Sequence, residues 1–212
     1  MTSAQRNYRG LSPEERQSRR RAALVEAALD AVADPTVEVS VRAVCAKAAL
    51  TPRYFYESFN SLEELLVAVV GQIGDEIFAA GSRAVLEVFD QPLIVQARAA
   101  YTGGYAVLAA DERRAKALLV LASGHDVLQE RRRDMVLEFT EGMLAFFRER
   151  YDLSGVEPVH ARATMLFAVA GCFELMLAYL GGALVISEER LAVEVAVLLA
   201  QCISLLGLPI PR

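Results

Sequence analysis

SVRAVCAKAALTPRYFYESFNSLEELL, residues 40 to 66, is the stretch whose reading decides the fold. Ser40 is placed to cap a short helix in which Val41, Val44, Cys45 and Ala48 recur at three- and four-residue spacing and form one narrow apolar stripe. Ala48-Ala49-Leu50 ends that helix, and Thr51-Pro52 starts the next, because a threonine oxygen accepts an orphan amide and proline loses no bond at the first helical position. In the second helix Phe55 and Phe59 lie four apart and face the core together, so Arg53, Tyr54, Tyr56 and Glu57 point elsewhere. So short a helix does not hold in water alone; its phenylalanines must dock it. Ser61-Leu62-Glu63-Glu64 then reads as a capping box that opens a longer helix carried by Leu62, Leu65, Leu66 and Val69.

Two short helices a three- or four-residue turn apart, the second with an outward arginine and tyrosines, have the form of a helix-turn-helix. The run resembles the DNA-binding end of the TetR (tetracycline repressor) family of bacterial transcriptional regulators. The matching pieces are VRAVCAKAALT for the positioning helix and turn, Tyr56 and Phe59 in the family's tyrosine-x-x-phenylalanine signature, and SLEELL at the start of the fourth helix. Two positions depart from the family pattern. Ala49 stands where glycine is usual, which costs on the order of 1 kcal/mol in a left-handed turn. Leu62 stands where a lysine usually follows the cap serine.

Upstream, residues 1 to 11 show no periodicity and are expected to form a mobile arm with Arg6 and Arg9. Ser12-Pro13-Glu14-Glu15 marks the start of a helix to about Ala33. Leu24, Ala28, Ala31 and Val32 form its inner stripe, with Arg16, Arg19 and Arg20 on or near an outer face. Asp34-Pro35 breaks it. The expected division is therefore an arm at 1–11, a helix-turn-helix domain at 12–60 and a second domain at 61–212.

The net charge of −5 argues against a nucleic-acid partner until the chain is divided. Residues 1 to 60 hold nine Arg/Lys against seven Asp/Glu, and the remainder holds 13 against 20. A phosphate-binding face needs local positive charge rather than a basic whole. Cys45, Cys172 and Cys202 are odd in number and far apart, in a sequence with no secretory leader, so a reducing, cytoplasmic setting and structural burial are expected.

Beyond the fourth helix, expected from Ser61 to about Phe78 and loosened by Gly71, Gly74 and Gly81, helical stretches are read at about 82–89, 92–109, 111–122, 125–151, 158–182 and 187–206. Gly103-Gly104 is expected to bend the second of these. No alternating strand pattern interrupts them, so the chain reads as all-α, with an N-terminal three-helix DNA-binding domain and a C-terminal helical bundle for ligand binding and dimerisation. Glu174 is the only charged residue from Ala163 to Ile186, and Glu194 the only one from Leu191 to Leu208. That is long enough to span a membrane, yet a mid-span glutamate is costly and the small residues along both helices favour close packing. A buried pair that also meets a second copy of the chain is preferred to a membrane hairpin.

The site expectations follow. Arg53 is placed to pair with guanine and Tyr54 to touch a thymine methyl or the backbone. Resemblance gives Tyr56 a phosphate contact. Arg19, Arg20, Ser40, Arg42, Thr51 and Pro52 complete the DNA-binding set. Tyr101, Tyr105, Phe139, Met143, Phe173 and Glu174 are expected around an effector, with Phe89, Phe146 and Met176 as further candidates. His125 and His160 flank loops and read as surface or capping residues. No glycine-rich phosphate loop, His-x-x-x-His, Cys-x-x-Cys or nucleophile elbow occurs, so neither an enzyme, a metal nor a cofactor is expected. The partners implied are double-stranded DNA, a second copy through residues 158–206, and a small molecule, without a membrane. Repression is implied by the family alone. The competing reading is a membrane-anchored or protein-interaction helical protein with a vestigial helix-turn-helix.

Overall fold

In a computed structural model, residues 12–120 and 126–207 are described, and they form helices with no strands. The expected arm at 1–11 and His125 lie outside those residues. The helices are α1 (Pro13–Ala33), α2 (Val41–Lys47), α3 (Pro52–Tyr56), α4 (Leu62–Glu87), α5 (Leu93–Ala109), α6 (Glu112–Leu119), α7 (Asp126–Arg150), α8 (Pro158–Leu180) and α9 (Glu188–Ser204). The chain divides into two compact units between Leu66 and Val67. That point lies within α4, six residues beyond the boundary read between 60 and 61.

The first unit is held by local chemistry. Ser12 Oγ accepts from the Glu15 amide at 3.1 Å and Glu15 Oε2 from the Ser12 amide at 2.7 Å, closing the capping box of α1. Leu24, Val25, Ala27, Ala28, Leu29 and Ala31 of α1 are buried, together with Val44 and Cys45 of α2 and Phe55 of α3.

Two expected caps differ in detail. Thr51 makes no side-chain cap hydrogen bond. Its carbonyl already takes the Tyr54 amide at 3.0 Å, so the hydroxyl is not needed there. At α4, Ser61 Oγ accepts from the Glu64 amide at 3.1 Å, but Glu64 reaches past Ser61 to the Asn60 backbone and side-chain amides, both at 2.7 Å.

In the second unit, α5 packs on α9, and α7 and α9 both pack on α8. One apolar cluster joins Leu93, Leu144, Phe147, Ala161, Met165 and Ile203, and another joins Ala97, Ala168, Leu191, Val195, Ala196 and Leu199. The expected break of α4 near Phe78 and the separate helix at 82–89 do not occur. α5 runs unbroken from Leu93 to Ala109 through Gly103 and Gly104. These glycines are sites of close approach: a Cβ on Gly103 would lie 2.7 Å from Ala84 Cβ, and one on Gly81 2.7 Å from the Ala100 carbonyl oxygen. Among the described residues, Leu62–Glu87 and Pro158–Leu180 are long and apolar enough to cross a membrane. Core helices of bundles meet the same criterion.

Candidate DNA interface and effector cavity

The short helix α3 stands on two anchors. Phe55 and Phe59 are 0% and 1% exposed with ring centroids 6.0 Å apart, each burial worth about 1.5–3 kcal/mol. The turn before it passes through Ala49 at φ 52, the left-handed conformation in which glycine is usual. With Phe55 fixed inward, helical geometry turns its neighbours out. The Arg53 side chain is 84% exposed, and Tyr54 and Tyr56 are 38% and 60% exposed.

Arg53 is also tethered. Its Nε donates to Glu57 Oε1 at 3.1 Å, and the other oxygen of Glu57 pairs with Arg20 Nη2 at 3.6 Å. The Arg20 guanidinium lies 4.7 Å from the centre of the Tyr54 ring, and its Nε is buried without a hydrogen-bond partner. Arg20 is thus half-buried, engaged with α3 rather than free on an outer face. Arg21 donates to the Ser58 carbonyl at 2.9 Å and stacks 4.1 Å over Phe59, fixing the end of α3 against α1. Glu57 links two cations across α1 and α3, and the arginine–glutamate spacing of four on a helix is the sequence signal for it.

Of the other candidates, Arg19, Arg42, Thr51 and Pro52 are exposed. Ser40 Oγ accepts from the Ala43 amide at 3.2 Å and so serves first as the cap of α2.

The second unit contains a cavity of about 180 Å³ lined by α4, α5, α7, α8 and α9. Tyr101, Tyr105, Phe139, Met143 and Phe173 all line it, as do Phe146 and Met176. Phe89 does not; its ring packs 5.8 Å from that of Tyr151. Nor does Glu174, which lines a separate hollow with Gln129, Arg132 and Arg133. α8 turns it to the outside, where it is 60% exposed and ion-paired with Arg132. Sequence alone marks a lone carboxylate without showing which way its helix is rotated.

No acidic or basic side chain lines the cavity. Of its polar groups, Gln96 is 3% exposed and fully engaged. Its Nε2 donates to the Phe89 and Gln91 carbonyls at 2.7 and 2.8 Å, and its Oε1 accepts from the Tyr151 hydroxyl at 3.2 Å. Tyr105 is hydrogen-bonded to Tyr179; burial, then the nearby Tyr179 and Glu188, push its pKa up to about 12. The Tyr101 hydroxyl is buried with no hydrogen-bond partner, an arrangement that costs about 1–3 kcal/mol. Burial foremost, with Tyr105 second, drives its pKa upward, so it remains a neutral donor. Cys172, also in the lining, is a free thiol pushed up to about 12 by burial and the nearby Cys202. His160 lies outside this region, its Nε2 3.3 Å from the Leu205 carbonyl. Among the described residues no cluster of metal-ligating side chains occurs.

The outward faces of the last two helices carry apolar residues. On α8 Val159 and Phe167 are exposed, Phe167 by 74%, and on α9 Val193, Val197 and Leu198 are exposed.

No known protein-family profile and no curated protein sequence matches this chain. Solved structures do. A TetR-family transcriptional regulator from Streptomyces coelicolor aligns at TM-score 0.64 and 15% identity, over 90% of this chain and 82% of that one. The transcriptional regulator FadR from Bacillus subtilis, in complex with stearoyl-CoA, aligns at 0.61 and 16%, over 85% and 98%. The multidrug binding protein EbrR, complexed with imidazole, aligns at 0.56 and 22%, over 91% and 97%. At such identities the likeness is one of architecture. A helix-turn-helix followed by a helical bundle gives this chain the fold of the TetR-family transcriptional regulators.

Proposed function

We propose that this chain is a ligand-responsive, DNA-binding transcription regulator. It acts as a cytoplasmic homodimeric repressor on a palindromic operator, and a small apolar effector releases it. The carrying observation is the short helix α3, anchored by the buried Phe55 within it and Phe59 just beyond it, while Arg53, Tyr54 and Tyr56 are exposed on its other faces. Arg53 is assigned the base contact, with Tyr54 beside it, and Arg19, Arg42, Thr51 and Tyr56 the phosphate contacts, while Pro52, which has no N–H to donate, completes the set as the first residue of the helix. Arg20 and Ser40 support the interface from behind. The former holds Glu57 and Tyr54, and the latter caps α2.

One copy reads one half-site. Two copies reading half-sites about one helical turn, roughly 34 Å, apart would supply specificity. The exposed apolar residues of α8 and α9 support a second copy as the occupant of that face. The bound ligands named for the FadR and EbrR structures support an effector role for the cavity. Release then requires that the ligand prefer a state of the dimer with the wrong half-site spacing.

The test is selection of bound sequences from a random DNA pool with the purified chain. Enrichment of an inverted repeat, with affinity that falls steeply as salt rises, is the expected result. Recovery of no sequence preference overturns the reading and leaves the vestigial-motif alternative.

A further inference from the structure

The chemistry of the cavity narrows what it can hold. Its lining offers no charge to neutralise a ligand ion. Two of its aromatic rings are already engaged by guanidinium groups. Arg150 stacks 3.8 Å over Phe146, and Arg132 lies 5.9 Å from the centre of Phe173. A cationic ligand would therefore compete with protein cations for the same rings, in a pocket without a carboxylate. An anion would enter a space where the available donors are few and neutral. What is left is a neutral molecule.

Within the lining, Tyr101 is a buried donor with nothing to donate to, whereas Gln96 and Tyr105 are engaged. The volume of about 180 Å³ has room for a compact molecule. An apolar protein cavity of about 150 Å³ takes up benzene, so one ring with a small substituent fits.

Resting on the regulator reading for the site's role, we propose that this cavity selects a compact, neutral aromatic or alicyclic molecule with one hydrogen-bond acceptor, a carbonyl or ether oxygen, which meets the Tyr101 hydroxyl. The remainder of the ligand packs against Phe139, Met143 and Phe173. The donor chooses among apolar molecules of similar shape; the missing counter-charge excludes ions.

The experiment uses the full chain and four probes of nearly one shape in calorimetric titration: acetophenone, α-methylstyrene, benzoate and phenyltrimethylammonium. Acetophenone is expected to bind about tenfold more tightly than α-methylstyrene, which lacks the oxygen, with neither ion binding measurably. In Tyr101→Phe that preference should vanish through loss of acetophenone affinity alone. Equal binding of the two neutral probes by the unaltered chain, tighter binding of either ion, or no binding of any probe overturns the proposal, and none of these outcomes depends on the variant folding. Titration of the same protein with the selected DNA separates the two claims. Acetophenone selectivity in a chain that ignores DNA preserves the ligand class and removes the regulator. DNA binding in a chain indifferent to the oxygen does the reverse.

Discussion

Arg53 of α3 and Glu57, the residue that caps the helix's end, are joined by a 3.1 Å hydrogen bond from Nε to Oε1, so the side chain assigned to read a base is held by a carboxylate one turn further along the chain. An exposed pair of this kind adds little stability. Its weight lies in what a DNA phosphate would meet. Glu57 brings a negative charge to the proposed interface, and two arginines partly offset it.

Glu57→Gln should therefore raise affinity for random DNA by about fivefold, the effect of ~1 kcal/mol of removed repulsion, and narrow the gap between operator and random sequence. Filter binding or fluorescence anisotropy over a salt series measures both. Arg53→Ala should relax sequence preference with a smaller loss on random DNA. An unchanged affinity for random DNA in Glu57→Gln would place Glu57 off the interface.

The turn gives a second prediction, on stability. Ala49 at φ 52 tolerates a conformation that a β-branched residue does not. Ala49→Val should cost about 1–2 kcal/mol, and Ala49→Gly should be neutral or stabilising by less than about 1 kcal/mol, since relief of strain is partly offset by a freer unfolded chain. Denaturant unfolding of the two variants checks the order. A valine variant as stable as the parent would mean that this turn is not left-handed in solution.

The fourth helix and its neighbour show where sequence reading stops. The caps of α1 and α2 and the stripes and turn of the first unit were legible because their signals are local: Ser12 with Glu15, Ser40 with the Ala43 amide, and the four-residue interval of Phe55 and Phe59. Gly81 was read as a place where a helix loosens, and Gly103 and Gly104 as a bend. All three sit inside continuous helices, and their smallness serves a partner about 19 to 27 residues away. Aromatic residues of the cavity could be listed in advance, since rings at helical spacing are visible. That Tyr101 would be left without a partner, or that Glu174 would face out, depends on the rotation of α5 and α8 in the bundle, which no local pattern states.

Gly103 converts that lesson into a measurement. A methyl there would meet Ala84 Cβ at 2.7 Å and the Ala80 carbonyl oxygen at 3.0 Å, neither of them the tip of a flexible chain. Gly103→Ala should cost about 1–3 kcal/mol despite alanine's better helix propensity. Gly155→Ala is the control, because nothing lies within 4 Å of its added methyl. The expected gap between them in a urea titration is at least ~1 kcal/mol, and its absence would mean that α4 and α5 are not in close contact at that point.

The proposed pairing of two copies turns on Phe167, which is 74% exposed in the single chain. A large aromatic ring left in water on α8, with Val159 two turns before it, is poorly explained by the needs of the monomer. Phe167→Glu should leave the isolated fold nearly as stable as before, because surface substitutions usually shift stability by no more than about 0.5 kcal/mol. A central aromatic in a dimer face is commonly worth ≥ ~2 kcal/mol, so self-association should weaken by about 30-fold or more. Sedimentation equilibrium reads the mass. Leu86→Glu is the matched control, since Leu86 is 50% exposed but belongs to α4, outside the proposed face. DNA binding supplies the second readout: the Phe167 variant should still hold a single half-site weakly at low salt while losing the full inverted repeat, because its reading helix is intact and only its partner is gone. If both variants keep the parent's mass, the second copy does not sit on α8 and α9, and operator recognition must be explained by a different pairing.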